Sequence, residues 1–142
     1  MAKYASGQYV PKHPEKYIGK GIPRYRSSWE MMFMRFCDNH PSVISWASEA
    51  IRIPYRNPLN GKNTTYVPDI FLIYEDNNGQ KHAELIEIKP SKQANIATAK
   101  SQYEKASVAL NYAKWHAASA YCKSKNIKFR IVTEFDLFAG IK

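Results

Sequence analysis

Two mainly apolar runs on either side of a polar turn are the clearest pattern in the sequence. The runs cover residues 66–74 and 83–90, and the turn between them contains Asn78 and Gly79. An Asn-Gly pair between apolar runs is the strongest short-range signal for an antiparallel β-hairpin. The pattern therefore predicts two neighbouring strands that pair with each other.

Both predicted strands carry charged residues where burial makes a charge costly. Asp69 lies in the first run, and Glu87 and Lys89 lie in the second. A buried ion needs an opposite charge, a metal ion or an open edge. If the turn is centred on Asn78, Asp69 lies opposite Glu87, and Lys89 follows on the same face by the two-residue repeat. A two-residue turn would send the carboxylates to opposite faces, so we predict an odd-length loop or a bulge.

An amphipathic helix is predicted upstream of the hairpin. Ser27 and Ser28 supply a capping residue, Glu30 lies in the first turn, and the pattern ends near Asn39. Helical spacing predicts that its core face consists of Trp29, Met32, Phe33, Phe36 and Cys37. Glu30 lies on the flank of that face, where it either complements the helix dipole or reaches a site on the hairpin.

The remaining pattern alternates between strands and helices. Short strands are predicted near residues 43–46 and 51–55, one long helix or two over 93–125 capped by Asn126, a strand over 127–132, and a helical tail from residue 134 to 140. The apolar face of the long helix is predicted to consist of Ala99, Tyr103, Ala106, Leu110, Ala113, Ala117 and Tyr121.

This order of elements predicts an α/β fold with a mixed β-sheet. Three consecutive strands make an antiparallel meander. The helix that follows the meander carries the chain to a crossover strand, which lies parallel to its neighbour in such connections. Helices then flank the sheet.

The length and the net charge of the chain indicate which class of protein it belongs to. The chain has 142 residues, 44% of them hydrophobic, which predicts one globular domain over residues 26–142 after a basic N-terminal arm over 1–25. The 21 Lys and Arg residues against 12 Asp and Glu residues give a net charge of +9, the usual footprint of nucleic-acid binding.

Basic residues interleave with tyrosines in the arm. Such a mixture meets phosphates and stacks on bases, although the tyrosines equally predict an arm that is strapped over its own fold. The predicted DNA-binding residues are Lys12, Lys16, Lys20, Arg24, Arg26, Lys92, Gln102 and Lys105.

The two cysteines and the absence of long apolar runs indicate a cellular location. Cys37 and Cys122 lie in apolar helical patterns without metal-ligand spacing, which predicts buried free thiols in a reducing compartment. The N-terminus lacks the apolar core of a signal peptide, and no run reaches the roughly 18 apolar residues of a membrane span. We expect a soluble protein of the cytoplasm with no membrane partner.

The acids and the lysine have the chemistry of metal-dependent phosphodiester hydrolysis. Mg²⁺ prefers oxygen ligands and is typically held by one or two carboxylates together with substrate phosphate. Asp69 and Glu87 fit that requirement, with the Ile88 carbonyl and Glu30 as further ligands. Lys89 would orient the attacking water or stabilise developing negative charge.

These residues carry a resemblance to known nucleases. Pro68-Asp69 followed by Glu87-Ile88-Lys89 resembles the PD-(D/E)xK signature of restriction-endonuclease-like nucleases. Six segments, two of which contain this signature, together resemble the head-completion proteins of T-even-type tailed phages, which are similar to TnsA-type endonucleases. The segments are Lys16-Tyr17-Ile18-Gly19, Tyr25 to Glu30, Trp46-Ala47-Ser48-Glu49, Ile53-Pro54-Tyr55, Tyr66 to Asp69 and Glu87 to Pro90.

The resemblance implies both an activity and a setting. It implies that Glu30, Asp69 and Lys89 are catalytic, with Glu87 at a middle carboxylate position that is Gln in some relatives. It further implies a Mg²⁺-dependent deoxyribonuclease, with Mn²⁺ as a substitute, that cleaves internally or trims ends. Such a protein would act on packaged phage DNA or stabilise the filled head in the host cytoplasm, and portal, neck or head proteins and the virion itself are the implied partners.

Two other interpretations remain open on the sequence. One is a structural DNA-end-binding or neck-assembly protein that keeps a nuclease fold without turnover. The other is that Asp69, Glu87 and Lys89 form an ordinary buried ion network. No base-reading element is present in the sequence, so we expect DNA structure or ends to be recognised rather than a specific base sequence.

Overall fold

The computed structural model describes residues 6–94 and 100–139. Its strands are Gly7–Gln8 (β1), Arg24–Tyr25 (β2), Val43–Ser48 (β3), Ile53–Arg56 (β4), Asn63–Tyr66 (β5), Ile70–Glu75 (β6), Lys81–Ile88 (β7) and Lys128–Val132 (β8). Its α-helices are Ser28–Asn39 (α1), Ser91–Ala94 (α2), Gln102–Ser124 (α3) and Glu134–Ala139 (α4).

A four-stranded mixed sheet forms the centre of the fold. The strand order is β3-β6-β7-β8, with β3, β6 and β7 antiparallel and β8 parallel to β7. One face of the sheet packs with α1 and α4 around Trp46 and Ile86. The other face packs against α3 around Leu85 and Trp115. The predicted α/β architecture, an antiparallel meander followed by a parallel crossover strand, is confirmed.

The register of the β6–β7 hairpin matches the prediction. Ile70 pairs with Ile86 and Glu75 pairs with Lys81, which leaves a five-residue loop centred on Asn78. Gly79 has a φ of 81°, a conformation that glycine adopts without steric cost, and its N–H donates to the Asp76 carbonyl. The odd-length loop is therefore confirmed.

The run over residues 66–74 is not one strand, contrary to the sequence pattern. Tyr66 ends β5, which pairs only with β4 in a separate two-stranded sheet, and the chain bends at Asp69 before β6 begins. Pro68 is buried in this break. Because proline has no N–H to donate, it cannot continue a central ladder. The β4–β5 hairpin is thus an insertion between β3 and β6.

The buried faces of the two long helices match the predicted faces in part. Phe33 and Cys37 of α1 are buried as predicted, with Trp29 and Phe36 packed against the same core, and Ala117 and Tyr121 of α3 pack against the other core. In α1 the fully buried residues include Met34 and Asp38, whereas Trp29, Met32 and Phe36 are only partly buried. In α3 the predicted Tyr103 is 81% exposed, and Ala99 lies outside the described residues. The buried residues of α3 are Val108, Asn111, Trp115, Ala118 and Cys122. The large ring of Trp115 sets the orientation of α3, because burying it removes far more apolar surface than burying alanines.

The described part of the N-terminal arm lies against the fold. Tyr9 and Tyr17 pack edge-on against Trp46, with ring centroids 6.0 and 4.7 Å away. The Lys16 ammonium donates to the carbonyls of Asp38 and His40, at 3.0 and 2.9 Å, at the end of α1. The strapped arrangement is therefore observed. The division of the chain at residues 25 and 26 stays a prediction.

Asp38 is the polar anchor of this arrangement. Its side chain is fully buried and accepts hydrogen bonds from the Tyr9 hydroxyl and from the backbone N–H groups of Lys12 and His13. Burial raises the pKa of Asp38, but these three donors outweigh it and hold the pKa below its ordinary value. The carboxylate form is thus the form that holds the arm.

The state of the two cysteines and the residue that ends α3 agree with the predictions from the sequence. Cys37 and Cys122 are free and buried, in the two different core clusters. Asn126 has a φ of 59°, and the N–H of Ile127 donates to the Cys122 carbonyl, which closes α3 with a Schellman motif. Within the described residues no helix combines the length and the apolar character needed to cross a bilayer.

We predict that Asp38→Asn lowers the free energy of unfolding by about 2–3 kcal/mol at pH 7, because an amide cannot accept all three hydrogen bonds. A group whose folded pKa is depressed contributes stability above its unfolded pKa and loses it as the pH falls through the folded value. The difference between parent and variant should therefore shrink below about pH 4. Urea unfolding across this pH range measures it, with the exposed Asn39→Ala as control. A constant difference at all pH values would contradict the assignment.

Candidate active site

A polar cleft of about 580 Å³ opens where β6 begins and β7 ends. The four residues predicted to be catalytic, Glu30, Asp69, Glu87 and Lys89, all line it. They reach it from separate elements, since Glu30 lies on α1, Asp69 precedes β6, and Glu87 and Lys89 lie at the end of β7. The hairpin register places Asp69 and Glu87 one step beyond the Ile70–Ile86 pair, on the face of the sheet that packs against α3.

Asp69 is held at the junction between the two sheets. Its Oδ2 accepts a hydrogen bond from the Ile88 N–H at 2.7 Å, and its backbone carbonyl accepts one from the Glu49 N–H at 3.0 Å. Oδ1 has no hydrogen-bond partner among the described residues. Burial, with the negative charges of Glu87 and Glu30, raises the pKa of Asp69 well above its ordinary value.

Glu87 is held by two neighbours at the end of β7. The Tyr66 hydroxyl donates to Oε1 at 2.8 Å, and the Lys89 ammonium lies 3.7 Å from Oε2. Burial raises the pKa of Glu87, and the charges of Lys89 and Lys114 together with the Tyr66 hydrogen bond only partly oppose that rise. The ionised carboxylate is therefore costly in this position, although it is well oriented.

Glu30 both caps α1 and faces the cleft. Its N–H donates to Ser27 Oγ at 3.1 Å, and its own Oε1 accepts from the Arg26 N–H at 3.1 Å. Burial raises the pKa of Glu30 above its ordinary value, and the charges of Glu49 and Glu87 contribute. The two interpretations of this residue from sequence, a first-turn acid that complements the helix dipole and a member of the site, are thus compatible.

The predicted DNA-binding residues are dispersed over the molecule. Arg26 lines the cleft, and its guanidinium lies 3.0 Å from Glu49 Oε2. Lys16 is partly buried in its contacts at the end of α1. The others are exposed outside the cleft: Lys12, Lys20 and Arg24 on the arm, and Lys92, Gln102 and Lys105 on α2 and α3.

Sequence reasoning did not assign four residues that line the cleft, namely Glu49, Arg52, Tyr66 and Lys114. Glu49 follows Trp46 in a segment already noted for its resemblance, but its φ of 50° and its position beside Asp69 appear only in the fold. Lys114 does not belong to the predicted apolar face of the long helix. It enters the cleft because the true buried face of α3 includes its neighbour Trp115.

The donor atoms of the cleft fit a hard cation. Carboxylate and carbonyl oxygens are the ligands that Mg²⁺ prefers, and the mutual repulsion of Asp69 and Glu87 is what a cation would relieve. Among the described residues no three His, Cys, Asp or Glu side chains stand close enough to form a metal cluster. The arrangement therefore fits a site of two carboxylates completed by water and a backbone oxygen.

Comparisons with known proteins agree with this geometry. The "TnsA-like endonuclease N terminal" family matches residues 40–134, from just after α1 to the start of α4. The chain therefore belongs to the TnsA-like endonucleases, and its mixed sheet is the restriction-endonuclease-like core predicted from the sequence.

A particular relative lies within the predicted phage group. The chain is 39% identical over 147 residues to the "Head completion nuclease" of Enterobacteria phage T4, and the match covers 94% of each protein. The predicted resemblance is confirmed, and both comparisons support a nuclease. The family match begins at His40 and so does not include Glu30.

We predict that Asp69→Asn stabilises the protein in metal-free buffer at neutral pH by about 0.5–2 kcal/mol, because it removes a repelled charge and keeps an acceptor for the Ile88 N–H. Since the folded pKa of Asp69 is raised, parental stability should fall as the pH rises from about 4 through that value. The advantage of the variant should therefore vanish in acid. Thermal unfolding of parent and variant in EDTA between pH 4 and 8 measures this difference in stability. A variant less stable than the parent at pH 7 would refute the raised pKa of Asp69.

Proposed function

We propose that the protein is a Mg²⁺-dependent deoxyribonuclease that hydrolyses phosphodiester bonds. The observation that carries the proposal is the convergence of Asp69, Glu87 and Lys89 in one cleft of a basic protein. Membership of the TnsA-like endonucleases supports it. We expect Mn²⁺ to substitute for Mg²⁺.

Each residue of the cleft has a proposed task in the reaction. Asp69, Glu87 and the Ile88 carbonyl would hold the metal, with Glu30 as an outer ligand. The bound ion would supply charge neutralisation at the phosphate and a more acidic water. Lys89, whose ammonium lies 3.7 Å from Glu87 Oε2, would orient the attacking water and stabilise the negative charge that develops on the phosphate oxygens.

Glu87 depends on Tyr66 for its orientation. The buried tyrosine donates to Oε1, which leaves Oε2 directed toward Lys89. A carboxylate fixed in this way does not need to reorganise when the substrate binds, which is how pre-organised sites lower a reaction barrier. Tyr66 is thus a positioning residue rather than a reacting one.

DNA would contact basic residues both in the cleft and outside it. Arg26 at the mouth, the exposed arm residues Lys12, Lys20 and Arg24, and the residues Lys92, Gln102 and Lys105 are the proposed backbone contacts. Lys16 ranks below them because its ammonium already donates to two carbonyls. Backbone contacts of this kind position a nuclease on DNA without reading its sequence.

We place this activity in the completion of phage heads. The printed name of the T4 relative, "Head completion nuclease", supports that setting. The substrate would then be the end of packaged DNA, processed in the host cytoplasm, and the protein would meet portal, neck or head proteins and stay with the virion. A nuclease that acts on DNA ends should cut or trim a linear duplex faster than the same DNA in a closed circle.

We predict that Asp69→Ala and Lys89→Ala each lower the cleavage rate of linear DNA in Mg²⁺ by about 10²–10⁴-fold, because each variant loses charge aimed at the reacting phosphate. Gel assays of labelled linear, supercoiled and branched DNA measure the rate. The control for loss of a lysine is Lys123→Ala, because Lys123 is exposed at the C-terminal end of α3. This variant should cleave DNA like the parent. Parental rates in both site variants would refute the active-site assignment.

A second function is a DNA-end-binding protein of the neck that does not need turnover. The observation in its favour is that both oxygens of Glu87 already have partners, while no three-acid metal cluster forms among the described residues. DNA binding that is independent of metal, with no cleavage by the parent in Mg²⁺ or Mn²⁺, would favour it. Cleavage lost in Asp69→Ala would exclude it.

A further inference from the structure

The basic side chains of the cleft fall into two kinds. Arg26 and Lys89 are each paired with a glutamate, at 3.0 and 3.7 Å. Arg52 and Lys114 also line the cleft, yet no carboxylate of the described residues lies within 4.0 Å of either charge. Neither charge is therefore engaged in an ion pair among the described residues, although Lys114 still lowers the pKa of Glu87 from a longer distance.

Arg52 belongs to the segment that leads into the inserted β4–β5 hairpin. Neither the sequence nor the fold had indicated a role for this hairpin. Arg52 directly precedes β4 and is exposed to solvent at the mouth of the cleft. The adjoining hairpin also contributes Tyr55, Thr65 and Tyr66 to the lining. An arginine presents a planar set of donors that matches phosphate oxygens, and it stays charged at every relevant pH.

Lys114 reaches the cleft from α3 and lies near Glu87, one of the proposed metal ligands. Its ammonium lies 5.7 Å from the centre of the Tyr66 ring, and the Tyr66 hydroxyl donates to Glu87. This cation–π contact fixes the lysine stem over the ring and leaves the ammonium without a hydrogen-bond acceptor among the described residues. A free ammonium beside metal-ligating acids is suited to hold an anion next to the one being cleaved.

We propose that Arg52 and Lys114 bind backbone phosphates of the DNA strand on the side of the cleft formed by the β4–β5 hairpin and α3. The proposal rests on the proposed nuclease function and deepens it, because it states where the strand runs. The scissile phosphate would lie at Asp69, Glu87 and Lys89, and neighbouring phosphates of the same strand would lie against Arg52 and Lys114. The inserted hairpin is then a wall of the DNA-binding groove.

A matched set of lysines lies at the other end of α3. Lys123 and Lys128 line a separate polar cavity beside the β6–β7 loop and are exposed. The negative end of the α3 dipole lies there, which disfavours phosphate. Removal of this pair changes the net charge of the protein as much as removal of Arg52 and Lys114.

The test compares Arg52→Gln/Lys114→Gln with Lys123→Gln/Lys128→Gln in the full chain. Binding of a fluorescent linear duplex is measured by anisotropy in EDTA, across a range of salt concentrations, after circular dichroism has confirmed folding. We expect the cleft variant to bind about 10–100-fold more weakly at low salt. Its slope of log K against log salt should be smaller in magnitude by about 2, since two phosphate contacts are lost. The control pair should stay within about threefold of the parent, with nearly its slope.

A third variant, Arg52→Lys/Lys114→Arg, keeps both charges and should keep the salt slope. Equal slopes in the cleft variant and the control pair, or loss of binding in the charge-keeping variant, would overturn the proposal. The outcomes also separate it from the proposed function. If the parent protein binds DNA through Arg52 and Lys114 but never cleaves it, the nuclease proposal is refuted and the proposed DNA-binding groove stands. If the parent cleaves DNA and its binding does not change when the pair is removed, only the proposed groove is refuted.

Discussion

The register of one hairpin is the constraint on which the site depends. Because side chains alternate between the faces of a sheet, a shift of one residue between β6 and β7 would move Glu87 away from Asp69. The five-residue loop centred on Asn78 prevents that shift, with Gly79 in a left-handed conformation at its end. The chemistry of the cleft is thus fixed by a turn at the far end of the same two strands.

The acids gathered in the cleft make the apo protein less stable than it could be. Burial raises the pKa of Asp69, Glu87 and Glu30, and repulsion by neighbouring carboxylates adds to the rise for Asp69 and Glu30, which means that ionisation of each group is opposed by the fold. Such strain is typical of functional sites, where groups are held against their preference so that a ligand can relieve it. The hydrogen bonds from Tyr66 and the Ile88 N–H orient these acids without removing the strain.

Two segments outside the four-stranded sheet frame the candidate active site. The N-terminal arm is tied to α1 through Asp38 and to β3 through the edge-on packing of Tyr17 against Trp46, and it ends near Arg26, which lines the cleft. The β4–β5 insertion forms another wall. Glu49 connects the segment before α1 with the segment before β6, since its carboxylate pairs with Arg26 and its N–H donates to the Asp69 carbonyl. The left-handed φ of Glu49 is understandable as the cost of that connection.

The sequence alone predicted the α/β order, the hairpin, its odd loop and the convergence of Asp69, Glu87 and Lys89, because strand alternation and turn chemistry are local rules. Only the tertiary structure decided the full extent of the buried faces of α1 and α3, that residues 66–74 break at Pro68, and that Arg52, Tyr66 and Lys114 enter the cleft. Those outcomes depend on what packs against each element, such as Trp115 against the sheet and the arm against α1. Long-range packing of this kind overrides helical periodicity, which records only where apolar residues lie along a single element.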